Sequence, residues 1–179
     1  MAACTDPLSE ARALEKKGDL EGAVALYREI LANSPKDLEA LSGLAVDLLQ
    51  LKRYDEALSL QETIVALDPK DALTRVELAF NYLNHQTQPA KAVKYLAEAV
   101  ALQPSAKNLS FLAQAQTAAG DAPKAEENLR RAIATDKTYG YAYSLLLPML
   151  EAQGRVSEAA GLREAAAAAG ARVESAKSD

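Results

Sequence analysis

The sequence predicts an all-α protein, an α-solenoid of about five helix-turn-helix units, and three observations carry that expectation. Prolines recur at Pro35, Pro69 and Pro104, spaced 34 and 35 residues apart, and each closes an apolar run. Small residues recur at Ala23, Ala57, Ala92, Ala125 and Ala159, spaced 34, 35, 33 and 34. The pairs Leu44-Ala45, Leu78-Ala79, Leu112-Ala113 and Leu146-Leu147 return at a constant 34. A period of this length marks a repeat array, in which each unit buries its apolar face only against its neighbours. Composition agrees. The chain is 49% hydrophobic but only 5% aromatic, and the difference is filled by Ala and Leu, which lose little freedom in a helix.

Each unit reads as two helices. Asp6 and Pro7 form a cap and first-turn pair that opens the first helix of the chain. In later units the first helix starts after the proline, where Asp37, Asp71 or Ser105 can cap it. Apolar residues then follow at helical spacing, as at Leu41, Leu44, Leu48 and Leu51. The helix should end near Gly18, Asn84, Gly120 or Gly154. The second helix should start at Asp19, Asp55, Asp121 or Ser157, with Pro89 and Pro123 tolerated in its first turn, and run to the next proline. His85 falls in the turn sequence LNHQTQ, where one residue is inserted. Pro148 falls inside a first helix, deletes one backbone bond and should kink it. The expected organisation is an extension over 1–4, a solenoid over 5–169 and a polar, disordered tail over 170–179. The expected units are 5–37, 38–71, 72–105, 106–139 and 140–169.

These landmarks resemble the tetratricopeptide repeat family over residues 5–169. The Leu-Ala pairs, the five small alanines, Tyr27 and the closing prolines carry the resemblance. The large aromatic usual near the start of each unit is missing in most copies, and Gln61 stands where Tyr27 has its ring. The resemblance implies a right-handed superhelix of antiparallel helix pairs whose concave groove is built from the first helices. A small residue at each alanine position would let two helices approach closely.

Several chemistries are excluded or unsupported. A formal charge of −5 speaks against a non-specific nucleic-acid binder. One Cys and one His leave no disulfide framework and no multi-Cys or His-pair metal site. No phosphate loop and no nucleophile elbow occur. No run of 18 apolar residues exists to span a membrane. The expectation is a protein without enzymatic activity, metal or cofactor.

Relative to the packed Leu-Ala pair, the residues offset toward the groove are Val46, Leu49, Leu73, Val76, Phe80, Leu83, Asn84, Lys107, Gln114 and Tyr141. The middle of that set is strongly apolar, and a contiguous apolar patch marks a partner site. The competing reading is that Leu73 and Leu83 pack between helices. Tyr139, Tyr141 and Tyr143 cluster within five residues; Tyr143 is expected to pack between repeats and Tyr141 to face the groove. The carboxylate clamp of family members that hold chaperone tails would fall on Leu8, Arg12, Gly43, Leu73 and Val76, of which only Arg12 could hold an anion. The sequence therefore predicts a bacterial protein-protein interaction module or scaffold, cytoplasmic, that binds a peptide or helix of another protein in its groove, with weak self-association possible in principle. The alternative takes Ala2-Ala3-Cys4 as the end of a lipoprotein cleavage site. Cys4 would then tether a subunit of a secretion, pilus or outer-membrane complex at the periplasmic face of the envelope.

Overall fold

The computed structural model describes residues 6–173, which hold ten helices and no strand. Cys4 lies outside the described residues. By their contacts the helices fall into two units, residues 1–74 and 75–179.

Unit 1 holds α1 (Pro7–Lys17), α2 (Leu20–Asn33), α3 (Leu38–Gln50), α4 (Tyr54–Leu67) and the first turn of α5 (Ala72–His85). Within it α1 packs on α2, α2 on α3 and α3 on α4. The predicted caps Asp19, Asp37 and Asp71 accept backbone N–H bonds at the starts of α2, α3 and α5. Asp55 does not cap; α4 starts one residue before it, behind Arg53. The Arg53 side chain binds Glu56, three residues on, at 2.7 Å. This ion pair occupies the first turn in place of a side-chain cap. Gly18 closes α1 with φ +81, the left-handed geometry that glycine adopts without cost. The core joins Ala11, Ala23, Val24, Tyr27, Ala40, Leu44, Leu48 and Ala57. Ala23 and Ala57 have no exposed surface, as a helix crossing through small residues requires.

Unit 2 continues with the rest of α5, then α6 (Pro89–Leu102), α7 (Ala106–Ala118), α8 (Ala122–Thr135), α9 (Gly140–Ala152) and α10 (Val156–Ala169). Each of α6 to α10 packs on the next, and α7 also meets α9. Within unit 2, α5 meets α6 through the stacked rings of Tyr82 and Tyr95, 6.0 Å apart, and through Arg75 and Glu98 at 3.1 Å. Ala92, Ala125 and Ala159 are fully buried, so all five small-residue positions mark crossings. Ser105 and Asp121 cap α7 and α8 as expected. Ser157 does not cap; α10 starts behind Arg155. His85 is the last residue of α5, not a turn residue, and Asn84 lies inside the same helix. The inserted residue is absorbed further on, where Thr87 takes φ +50. Pro148 sits within α9. After α10, Ala171 packs against the core. The Arg172 carbonyl lies so close to Gly140 that a Cβ there would sit 1.8 Å from it.

An ion-pair clasp recurs on the second helices. In unit 1, Glu56 of α4 is held at 2.7 Å by both Arg28 of α2 and Arg53. In unit 2, Glu158 of α10 is held by Arg130 of α8 and Arg155, and both arginines also hold Glu126 at 2.7 Å. The hydrogen bond from Arg53 holds Glu56 below the usual carboxylate range, and the bonds from Arg130 and Arg155 do the same for Glu158.

Candidate functional site

Three first helices of unit 2 each contribute one aromatic ring to a single strip. Phe80 of α5 meets Phe111 of α7 edge-on, with centroids 4.8 Å apart and planes at 86°. Phe111 meets Tyr141 of α9 at 6.2 Å and 74°. Tyr141 meets Tyr139, the residue before α9, at 6.3 Å and 76°. Edge-to-face pairs at these separations set the positive rim of one ring against the negative face of the next. All four rings are half-buried. Burial raises the Tyr139 and Tyr141 phenols above their ordinary value.

Polar groups frame the strip. The Tyr141 hydroxyl donates to Gln114 Oε1 at 3.2 Å. Lys107 Nζ stands 5.7 Å from the Phe111 centroid, within the range of cation–π attraction. The strip therefore offers ring surface to a ligand, one cation and one amide, and no group arranged as an acid–base pair. Among the described residues no cluster of three His, Cys, Asp or Glu could hold a metal ion, and no helix is long and apolar enough to cross a membrane.

The expected groove residues divide between the units. In unit 1, Val46 is 53% exposed and Leu73 65%, while Leu49 is half-buried against the core. In unit 2, Phe80, Leu83, Gln114 and Tyr141 are half-buried, and Asn84 and Lys107 are exposed. Val76 corrects the expectation. It is buried in the core, because it lies three residues before Ala79 and so shares that residue's packed face. Tyr143 is 1% exposed and donates its hydroxyl to the Lys137 carbonyl at 3.0 Å, a packing role as expected.

Phe111 is the ring that the sequence reading passed over. It adjoins Leu112-Ala113, so the repeat register assigns it to packing. The three rings are spaced 31 and 30, short of the 34-residue period. Each therefore lies about one turn nearer the start of its helix than the one before, and the strip crosses the repeat diagonally. The signal available was aromatic spacing taken apart from the period.

Helical hairpins that cross at small residues and leave rings on their first helices define a helical-repeat protein. Residues 8–72 match the family model described as tetratricopeptide repeat. Solved structures agree over nearly the whole length. A crystal structure of MamA is 22% identical with a TM-score of 0.75, covering 89% of this chain and 93% of its own. MamA from Desulfovibrio magneticus is 20% identical with a TM-score of 0.73, over 93% and 97%. The kinesin light chain TPR-like repeats of Podosopora anserina are 23% identical with a TM-score of 0.66, over 91% and 92%. At these identities the likeness is one of fold. No protein of curated function matches the chain significantly.

Proposed function

We propose that the chain is a non-catalytic interaction module that holds a peptide or helix of a partner protein by seating an apolar side chain against the ring strip of unit 2. The observation that supports this is the continuous contact of Phe80, Phe111, Tyr141 and Tyr139, all half-buried. The unit's core is built mainly from Leu and Ala side chains with Tyr143, and of the four strip rings Tyr139 also packs against it. Rings left at the surface in mutual contact supply a rigid apolar platform, which binds at little entropic cost. Lys107 and Gln114 add the polar rim that fixes orientation. The expected occupant is a segment carrying a large apolar residue, in the manner of helix-in-groove or extended-peptide recognition.

Random peptides displayed on phage and selected on the wild-type protein test this. The selected sequences should share a large apolar residue. Phe111→Ala should weaken them about thirtyfold, the loss typical of truncating a central aromatic anchor at ~2 kcal/mol, and leave the melt close to wild type. The reading fails if Phe111→Ala costs ~3–5 kcal/mol of stability, as an emptied core site would, while the folded fraction keeps its peptide affinity.

A further inference from the structure

On the second-helix side of unit 2, α8 and α10 both pack on α9 and leave an open trough of about 570 Å³ between them. Its walls are Ile133 and Ala134 of α8 and Leu162, Ala165 and Ala168 of α10. All five are exposed or half-buried, so an incoming group reaches them directly. Tyr143 and Leu146 of α9 lie beneath as a buried floor. Glu126, Arg130, Arg155 and Glu158 close one end by their ion pairs. Lys137 stands at the other end, seven residues after Arg130 and so about two turns along.

The matching groove of unit 1 has a different character. It is lined by Arg28, Leu44 and Leu60, which stand 102 residues before Arg130, Leu146 and Leu162. That groove is smaller, about 400 Å³, and Asp55, Glu56 and Ser59 make it polar. Thr63 and Leu67 of α4 correspond to Ala165 and Ala169 of α10, so α10 has lost side-chain bulk along its trough face. Charge on the trough of unit 2 is confined to one end. The clasp neutralises Arg130, whereas Lys137 makes no ion pair among the described residues. Its neighbour Asp136 is engaged by Thr138. The Tyr143 hydroxyl donates to the Lys137 carbonyl at 3.0 Å, which fixes the point from which the lysine side chain extends.

We propose that this trough receives an amphipathic helix of a partner protein, with large apolar side chains three and four apart over Ile133 and Leu162 and an acidic side chain against Lys137. Two observations select that occupant. Inside the chain, helices cross where one of them presents a fully buried alanine. Ala134, Ala165 and Ala168 turn the same small surface outward, where a further helix can approach closely. An apolar trough with one cation free at its end is complementary to an apolar row that ends in an acid. The site lies on the second helices of unit 2 and does not depend on the ring strip of the first helices.

The probes are two hydrocarbon-stapled helical peptides with the same leucine row, one carrying glutamate and the other lysine a turn beyond it. Each is titrated into the full chain and followed by NMR. The glutamate peptide should shift the amides of Ala134, Leu162 and Ala165 saturably and bind more tightly than the lysine peptide. Lys137→Glu should weaken the glutamate peptide about tenfold, the scale of turning a partly exposed attraction into a repulsion, and reverse the preference. Ala165→Glu, at an exposed position, should keep the wild-type melt and abolish binding of both peptides, because a charge would lie under the leucine row. Lys16→Glu, in the last turn of α1, should leave binding unchanged. The proposal is overturned if no saturable shift occurs, if Lys137→Glu leaves the preference as it was, or if Ala165→Glu binds as well as wild type. Shifts that fall on Phe111 and Tyr141 instead would place the peptide on the ring strip and overturn it as well. An equal effect of Lys16→Glu would reduce the preference to general surface charge. The partner helix is also overturned if the protein alone dimerises through these amides, making the occupant a second copy, or if dodecanoate shifts them and neither peptide does.

Discussion

Replacing Gly43 by alanine sets two well-measured effects against each other. Gly43 lies in the interior of α3, where alanine is favoured over glycine by ~1 kcal/mol. An added Cβ would meet Tyr27 at 2.4 Å from Cζ, 2.6 Å from the oxygen and 2.8 Å from Cε2, whereas carbon atoms rest about 3.5–4.0 Å apart. The ring cannot withdraw freely. It is 2% exposed, packs in the same core as Leu44 and Leu48, and is tied to Glu15 at its far end. Overpacking of this kind costs ~1–3 kcal/mol, and a stretched hydrogen bond to a carboxylate adds to it, such bonds being worth ~1.5–3 kcal/mol. The steric and polar losses exceed the helical gain, and the net loss should be about 2 kcal/mol, lowering Tm by about 4–8 °C for a chain of this size. Gly161 is the control: it lies within α10 with nothing within 4 Å of its Cβ position. Gly161→Ala should show the helical gain alone, a rise of ~1 kcal/mol. Melts of both variants by helical circular dichroism read the difference. If Gly43→Ala is as stable as Gly161→Ala, then Tyr27 does not occupy the notch above α3 and the geometry argued for unit 1 is wrong.

Asp47→Asn should stabilise the protein at neutral pH by up to about 3 kcal/mol, since burial and then the nearby Glu15 push the Asp47 carboxyl up to about 6 from its ordinary 3.8. The sign follows from proton counting: between those two values the folded state binds more protons, so wild-type stability falls as pH rises from 3.8 to about 6 and the asparagine variant should lack that slope in urea titrations. Ala57→Leu should cost ~1–3 kcal/mol in denaturant melts, because Ala57 has no exposed surface where α4 crosses its neighbour; a neutral result would put the crossing elsewhere. Gly140→Ala should dislodge the segment after α10, because its Cβ would collide with the Arg172 backbone. Trypsin should then cut after Arg172 faster than in wild type, with the melt of the remaining helices little changed; equal cutting rates would count against the contact.

The period made the architecture legible. All five small alanines are buried, because a crossing distance is a property of the repeat and is written once per unit. Caps were legible where a side-chain oxygen meets free N–H groups, as at Asp19, Asp37 and Asp121. They were misplaced at α4 and α10, where an arginine and a glutamate three residues on take over the first turn. The candidate site was half legible. Phe80 and Tyr141 follow from offset to the packed pair, but Phe111 does not, since the strip is set by ring-to-ring contact and not by the period. Asp47 was hidden for a similar reason. An acid in a helix reads as a solvated face, and its burial depends on where α1 and α2 lie. Gln61, which stands where Tyr27 has its ring, is buried.

The Arg–Glu–Arg clasp has its own consequence for how the helices share their stability. Arg28, Arg53 and Glu56 recur three periods on as Arg130, Arg155 and Glu158, and in both places the links join second helices of successive hairpins. In a linear array, cooperativity is the coupling energy between neighbours, separate from what each hairpin contributes by itself. Partly exposed charges are screened within about 8–10 Å at ordinary ionic strength, whereas the alanine crossings are not. Salt therefore acts on the coupling more than on the hairpins. As ionic strength rises, α2–α4 and α8–α10 should each melt less as a block and more as their separate hairpins, broadening the transition before it moves the midpoint.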